Sequence, residues 1–235
     1  MLFPEAAGPS MAITSFLGLK YRSPKWTINI HNLAWRRKSW KKGPPFAIMG
    51  VERGAFLRKL THDELLARSV PPGETGLRER APVAGMLDNI RSLYNVGSMF
   101  RTSDGAFIRR LYLTGYTPAP PRNEISKTSL GATESVPWSH HRDPLEAVAK
   151  ARGEGMKICV LEHTTESVPV FTLTKEVFPV CLVVGNELTG VSRALIDAAD
   201  LAVEIPMYGV KQSLNAAVAY GVALFELMRI LKSPT

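Results

Sequence analysis

Three stretches of this 235-residue sequence set amide, carboxylate, hydroxyl and guanidinium side chains among apolar neighbours. The first, from Leu87 to Asp104, holds Asn89, Arg91, Asn95, Gly97 and Arg101. A guanidinium such as that of Arg101 is a planar fork that fits the oxygens of a phosphate. Asn95 has the side chain of a helix N-cap, and Gly97 would let another backbone approach the first helical turn. The second stretch, from Val183 to Ser192, holds Gly185, Asn186, Glu187 and Gly190. Its two glycines leave room for backbone contact with a ligand. The third, from Ile205 to Asn215, offers apolar surface in Ile205, Met207 and Leu214 beside the polar groups of Ser213 and Asn215. That combination suits a ligand with an aromatic base and a polar end. Each stretch also has a purely structural reading: Asn95 as a cap and Arg101 as a surface cation, Ser192 and Ser213 as caps, and the apolar residues as core.

These stretches depend on the elements around them. From Val83 onward short apolar runs alternate with helical segments. Strands are expected over residues 83–87, 111–114, 157–161, 180–184 and 201–205, and helices over 95–107, 144–154, 192–199 and 213–231. Short strands that are apolar on both faces belong inside a parallel sheet, and their alternation with helices argues for an α/β domain. All three polar stretches then lie just beyond the carboxyl end of a strand, where open α/β sheets bind ligands. Upstream, Thr61-His62-Asp63-Glu64 has the form of a capping box. It predicts a short helix to about Arg68, closed by Pro71-Pro72-Gly73. The expected organisation is a basic, poorly patterned leader over residues 1–60, a short helix and linker over 61–82, and the chemistry in 83–235.

Composition narrows the function class. Hydrophobic residues make up 45% and charged residues 21%, an ordinary globular mix with no apolar run long enough to span a bilayer. Cys159 and Cys181 sit in apolar runs and read as buried core residues of a protein in a reducing, cytoplasmic compartment. His140-His141 reads as a surface or loop pair, and no His/Cys spacing suits a metal. The formal charge of +8 is concentrated in the leader: residues 1–50 carry eight Lys/Arg and one acid, whereas residues 81–235 carry fifteen of each sign. Basic segments attract polyanions, so nucleic acid is the expected partner. The leader mixes Trp with cations, as in Trp35-Arg36-Arg37-Lys38-Ser39-Trp40, and such a mix stacks on bases and touches phosphates. A transit peptide, or a chain that starts at Met49, fits the same residues. No nucleotide-binding glycine fingerprint, phosphate loop, nucleophile elbow or zinc-protease motif is present.

Taken together and in this order, the three stretches resemble the three motifs of the SpoU/TrmH family of RNA ribose methyltransferases, within the SPOUT group. The resemblance covers about Val83 to Leu231 and rests on Asn89, Arg91, Asn95, Gly97 and Arg101, on Gly185, Asn186, Glu187 and Gly190, and on Ile205, Pro206, Met207, Gly209, Ser213, Leu214 and Asn215. It implies an α/β fold, a parallel sheet flanked by helices with a C-terminal deep trefoil knot. It implies S-adenosyl-L-methionine as cofactor, a homodimer, and transfer of a methyl group to a ribose 2′-hydroxyl of tRNA or rRNA. Arg101, Asn95, Glu187, Ser213 and Asn215 match the catalytic set, with Ser213 and Asn95 positioning Arg101 or its phosphate. Leu161, Gly185, Asn186, Ile205, Met207, Ser213 and Leu214 match the cofactor site. A non-catalytic RNA-binding relative and a base-directed methyltransferase of the same fold are the competing readings. Neither a metal nor a membrane is implied.

Overall fold

The alternation of strand and helix becomes a seven-stranded, wholly parallel sheet in the order β3-β2-β1-β6-β4-β7-β5. The structure is a computed structural model and describes residues 58–69, 71, 74 and 78–234. The strands are β1 (Ala81–Asp88), β2 (Ile108–Thr114), β3 (Trp138–His141), β4 (Lys157–Leu161), β5 (Val168–Pro169), β6 (Val180–Val184) and β7 (Leu201–Glu204). The helices are α1 (His62–Leu66), α2 (Leu93–Gly105), α3 (Asn123–Ser129), α4 (Ala132–Ser135), α5 (Pro144–Gly153), α6 (Arg193–Asp197) and α7 (Ala216–Lys232). Residues 1–57 of the basic leader lie outside the described residues.

Side chains alternate along each strand, and both faces are covered. Val83, Leu87, Leu182 and Val184 point to one side, where they meet Val96, Met99 and Phe100 of α2 and Tyr220, Leu224 and Leu227 of α7. Ala84, Met86, Cys181 and Val183 point to the other, against Ala147, Val148 and Ala151 of α5 and Leu195 of α6. Both cysteines are free and fully buried, as their apolar context predicts. Burial pushes the Cys159 thiol up to about 12, which makes it inert as a nucleophile near neutrality.

The expected strands and helices are all present, with shifted ends and four additions. The capping box forms as written: Glu64 N–H donates to Thr61 Oγ1 at 3.3 Å and Thr61 N–H to Glu64 Oε2 at 2.8 Å. Helices α3 and α4 and strands β3 and β5 lack the apolar periodicity that marks the others. In α3 only Ile125 and Ser129 are buried, and β3 is an edge strand held by pairing with β2. His141 of β3 is buried, with Nε2 2.9 Å from Ser139 Oγ, so only His140 of the expected surface pair is exposed.

Three caps differ from expectation. Ser92 caps α2, accepting from Asn95 N–H at 3.2 Å, so Asn95 stands in the first turn with its side chain free for other work. Asn215, not Ser213, caps α7. Ser192 precedes α6, but its hydroxyl makes no capping bond and is buried without a partner. Gly97 behaves as expected: a Cβ there would collide with Thr128 Oγ1 and the Ile125 carbonyl, so α3 packs on α2 at a distance only glycine allows.

The chain order places the site. β1 leads outward to β2 and β3, whereas β4 and the strands after it build the other half of the sheet, with β6 inserted between β1 and β4. The loops after β1, β6 and β7 are the three polar stretches. They emerge along one edge, on either side of the point where the direction of winding reverses.

Candidate active site

The second and third stretches line one cavity of about 460 Å³ beyond the ends of β4, β6 and β7, and the first is tied to it through hydrogen bonds of Asn95 with Glu187 and Asn215. Leu161, Gly185, Asn186, Ile205, Met207, Ser213 and Leu214 all line it, as do Glu187 and Asn215. Every residue expected at the cofactor site is therefore at one place, although more than 50 residues of sequence separate Leu161 from Leu214.

Glu187 ties the second stretch to the first. Its carboxylate accepts Arg91 N–H at 2.9 Å, Ser92 N–H at 3.1 Å and the Asn95 amide at 2.8 Å. Burial by itself would raise its pKa. The donors, from the Arg91 N–H, its own N–H, the Asn95 amide and the Ser92 N–H, outweigh that and hold the group below the usual glutamate range.

Asn95 carries the connection onward, for its Oδ1 accepts Asn215 Nδ2 at 3.3 Å. Asn215 Oδ1 accepts Ala217 N–H at 2.9 Å and Val218 N–H at 3.3 Å as the cap of α7. The polarity of this chain is set at both ends. The α7 backbone supplies only donors and the Glu187 carboxylate only accepts, so each amide between them has one consistent orientation. One hydrogen-bonded line thus runs from the third stretch through the first to the second.

Other residues build the loop. Asn186 is 6% exposed and spends its polar atoms inside the protein. Its Oδ1 accepts Leu188 N–H and Thr189 N–H at 2.8 and 3.0 Å, and its Nδ2 donates to Asn89 O and Tyr116 Oη, each at 2.8 Å. Gly185 and Gly190, expected to leave room for backbone contact with a ligand, both line the cavity, and each also has a packing reason to be glycine. A Cβ at Gly185 would strike the backbone of Gly190 and Val191, and one at Gly190, where φ is +71°, would strike the Glu162 carboxylate. Both glycines exist so that the loop can fold back on itself.

Of the expected residues, neither Asn95 nor Arg101 lines the cavity; Asn95 is bonded to the lining residues Glu187 and Asn215, and no such bond reaches Arg101. It is exposed on α2, and among the described residues no side-chain bond joins it to Ser213 or Asn95. Six residues along an α-helix turn the side chain by about 120° and carry it about 9 Å from Asn95. Arg101 instead shares the exposed stripe of Tyr94, seven residues earlier. Ser213 lines the cavity and is exposed.

The sequence reading missed Glu162, His163 and Glu204, all of which line the cavity. Glu162 accepts Val191 N–H at 2.9 Å and so clamps the second loop to the end of β4. His163 stands between Glu204 Oε2 at 3.3 Å and the Gln212 carbonyl at 3.1 Å, linking β4 and β7 to the third loop. Hydrogen bonds from Ser167 and His163 hold the Glu204 carboxyl below the usual range. The signal was available: Glu162-His163 directly follows the apolar run of β4, and polar residues at that position face a ligand edge.

With this geometry in place, similarity to known proteins takes on structural meaning. The sequence matches the SpoU rRNA Methylase family over residues 82–225, and the chain belongs to that family. It is 34% identical over 143 residues to the tRNA (guanosine(18)-2′-O)-methyltransferase of Aquifex aeolicus, covering 60% of this chain and 66% of that enzyme. The chain thus spans just under two thirds of that curated relative. Its fold is similar to the crystal structure of the A. aeolicus TrmH/SpoU tRNA modifying enzyme, with a TM-score of 0.60 and 29% identity over 71% of this chain and 82% of that one. It is similar also to an AdoMet-bound rRNA methyltransferase from Sinorhizobium meliloti, with a TM-score of 0.61 and 30% identity over 66% and 59% of the two chains.

Proposed function

We propose that the protein transfers a methyl group from S-adenosyl-L-methionine to a ribose 2′-hydroxyl of tRNA or rRNA. The observation that carries this reading is the meeting of the second and third motifs on one cavity, with the first motif tied to both by the line Glu187–Asn95–Asn215. The cavity fits the cofactor. Leu161, Ile205 and Leu214 supply apolar walls for a purine. Glu162, Glu187 and Glu204, with neither Lys nor Arg among the lining residues, suit a ligand bearing a positive charge. Bound there, the cofactor supplies a methyl group already made electrophilic by its sulfonium.

The residues must then deal with the nucleophile. A sugar hydroxyl is a weak acid and has to shed its proton as the oxygen–carbon bond forms and the carbon–sulfur bond breaks. Arg101 is a poor base because a guanidinium is effectively always protonated. It grips the phosphate beside the target ribose, and the proton leaves to that phosphate or to water. Asn95 and Asn215, fixed by Glu187, orient the hydroxyl, and alignment of this kind contributes much of the rate. Ser213, at the cavity rim, faces the same phosphate.

The assembly is a homodimer. Val218 and Phe225 of α7 and Tyr94 of α2 leave large apolar side chains more than half exposed, and burial against a second copy removes that area from water. Arg101 lies on the Tyr94 stripe, so a dimer built on this face brings the guanidinium to RNA held between the protomers. The loops after β6 and β7 form the C-terminal trefoil knot expected of the group. The position of β6 between β1 and β4 supports that topology. Among the described residues no helix is long and apolar enough to cross a membrane, in keeping with a cytoplasmic enzyme. The basic leader adds affinity for RNA.

The test has two arms. Calorimetry with S-adenosylmethionine and with its demethylated product should show binding, and no binding at millimolar cofactor would defeat the proposal. Labelled methyl transfer to unmodified tRNA and rRNA transcripts should give product resistant to alkaline cleavage at one nucleotide, because a 2′-O-methyl group blocks attack on the adjacent phosphodiester. Label that remains on the base would favour base methylation. Cofactor and RNA binding without transfer would favour the non-catalytic relative.

A further inference from the structure

Tyr116 follows β2 and stands at the same sheet edge as the three motifs, outside all of them. The residue is 61% exposed, yet it is held at both ends. Its backbone N–H donates to Asn89 Oδ1 at 3.2 Å, and its hydroxyl accepts Asn186 Nδ2 at 2.8 Å. Asn186 cannot turn away, because its Oδ1 already takes two N–H groups of its own loop. An exposed aromatic side chain is normally free to change rotamer, and fixing it costs entropy that protein packing does not offset here. A flat ring ordered in advance and left open to solvent is prepared for a flat partner. The next residue after Asn186 is Glu187, whose carboxylate holds Asn95. The ring therefore borders the groups assigned to the ribose. Arg91, exposed and two residues beyond Asn89, adds positive charge to the same rim.

We propose that Tyr116 is the platform on which an unstacked nucleobase of the RNA rests while the ribose next to it is methylated. The inference rests on the function proposed above. A ribose hydroxyl inside a stacked helix is hard to align with a methyl donor, and RNA-modifying proteins commonly hold splayed bases on aromatic rings. Every base has a π-face, so a tyrosine platform places the nucleotide without choosing its identity. Tyr116 is thus a positioning residue. The Asn186 hydrogen bond makes the platform part of the cofactor loop, so the base is held in register with the cavity.

Two substitutions separate the ring from its hydroxyl. Tyr116→Leu keeps apolar bulk but removes the flat face, and Tyr116→Phe keeps the face but removes the bond to Asn186. For methyl transfer to tRNA and rRNA transcripts, Tyr116→Leu should raise the RNA KM by about 5- to 150-fold, the usual worth of one base–aromatic stack. Tyr116→Phe should recover most of that loss, to within about threefold of wild type. Both variants should bind S-adenosylmethionine as wild type does, because neither group faces the cavity. A short single-stranded RNA carrying 2-aminopurine supplies a reading independent of turnover. Stacking quenches its fluorescence, so wild type and Tyr116→Phe should quench it and Tyr116→Leu should not. Equal losses in both variants would make Tyr116 a mere strut for Asn186 and overturn the proposal, as would a Leu variant with unchanged RNA KM and unchanged quenching. If the wild type itself transfers no methyl group, the proposed function fails, and the quenching experiment still decides whether the ring stacks on RNA.

Discussion

Replacing Glu187 with glutamine keeps the size of the side chain but removes its charge and one acceptor. The native carboxylate serves three donors, Arg91 N–H, Ser92 N–H and the Asn95 amide, at 2.8 to 3.1 Å. Glutamine has a single carbonyl oxygen and turns an NH2 group toward one of them, so at least one donor loses its partner. A hydrogen bond to a charged group contributes about 1.5–3 kcal/mol, and an orphaned donor costs about 1–3 kcal/mol when buried. The site is partly open to water, which favours the low end, about 2 kcal/mol. For a chain of this size that lowers the thermal midpoint by about 4–8 °C. The difference should depend on pH in a defined direction. Folding depresses the pKa of Glu187, so its contribution is complete above the unfolded value of about 4.3 and is lost as pH falls through the folded value. Thermal unfolding of both proteins from about pH 7.5 to about pH 3.5 should therefore show a full gap near neutrality that narrows toward the acid end. Methyl transfer by the variant at neutral pH should fall by about 100-fold, since Asn95 loses its anchor. A gap in midpoint that stays constant over this range would refute the assignment of the three hydrogen bonds to an ionised Glu187.

Asn215→Asp keeps the cap of α7 and places negative charge at its N-terminus, so stability should stay within about 1 kcal/mol of wild type. It removes the donor to Asn95, and methyl transfer should be lost; an active Asp variant would break the link from α7 to Glu187. Arg101→Ala should abolish transfer while leaving cofactor affinity within a few-fold of wild type by calorimetry. Arg101→Lys should fail as well, because a point charge does not replace a bidentate fork on phosphate. Deleting residues 1–48, so that the chain begins at Met49, should leave a dimer that binds cofactor and modifies the same nucleotide. Its RNA affinity should drop and the salt dependence become shallower, since phosphate contacts add affinity without sequence information. Unchanged affinity and salt slope would instead favour a transit peptide or a start at Met49.

The sequence by itself determined the period of each main element, because both strand faces and the core faces of α2 and α7 are apolar and follow their own repeats. It also determined that three polar stretches follow strand ends, and those stretches carry the family. Residue types at short range were sufficient for this, as the Thr61–Glu64 capping box shows. Only the tertiary structure decided what those polar groups touch. Ser92 takes the cap of α2, which frees Asn95 to bridge Glu187 and Asn215 across 92 and 120 residues of sequence. No local pattern encodes such a bond, because it depends on β6 lying beside β1. The same holds for Gly185, whose missing Cβ is required by the returning Gly190 backbone, and for Tyr116, whose neighbours come from the loops after β1 and β6. Arg101 shows the reverse. Its type announced chemistry, and the pitch of α2 set it on a face that one chain alone does not turn toward the cavity.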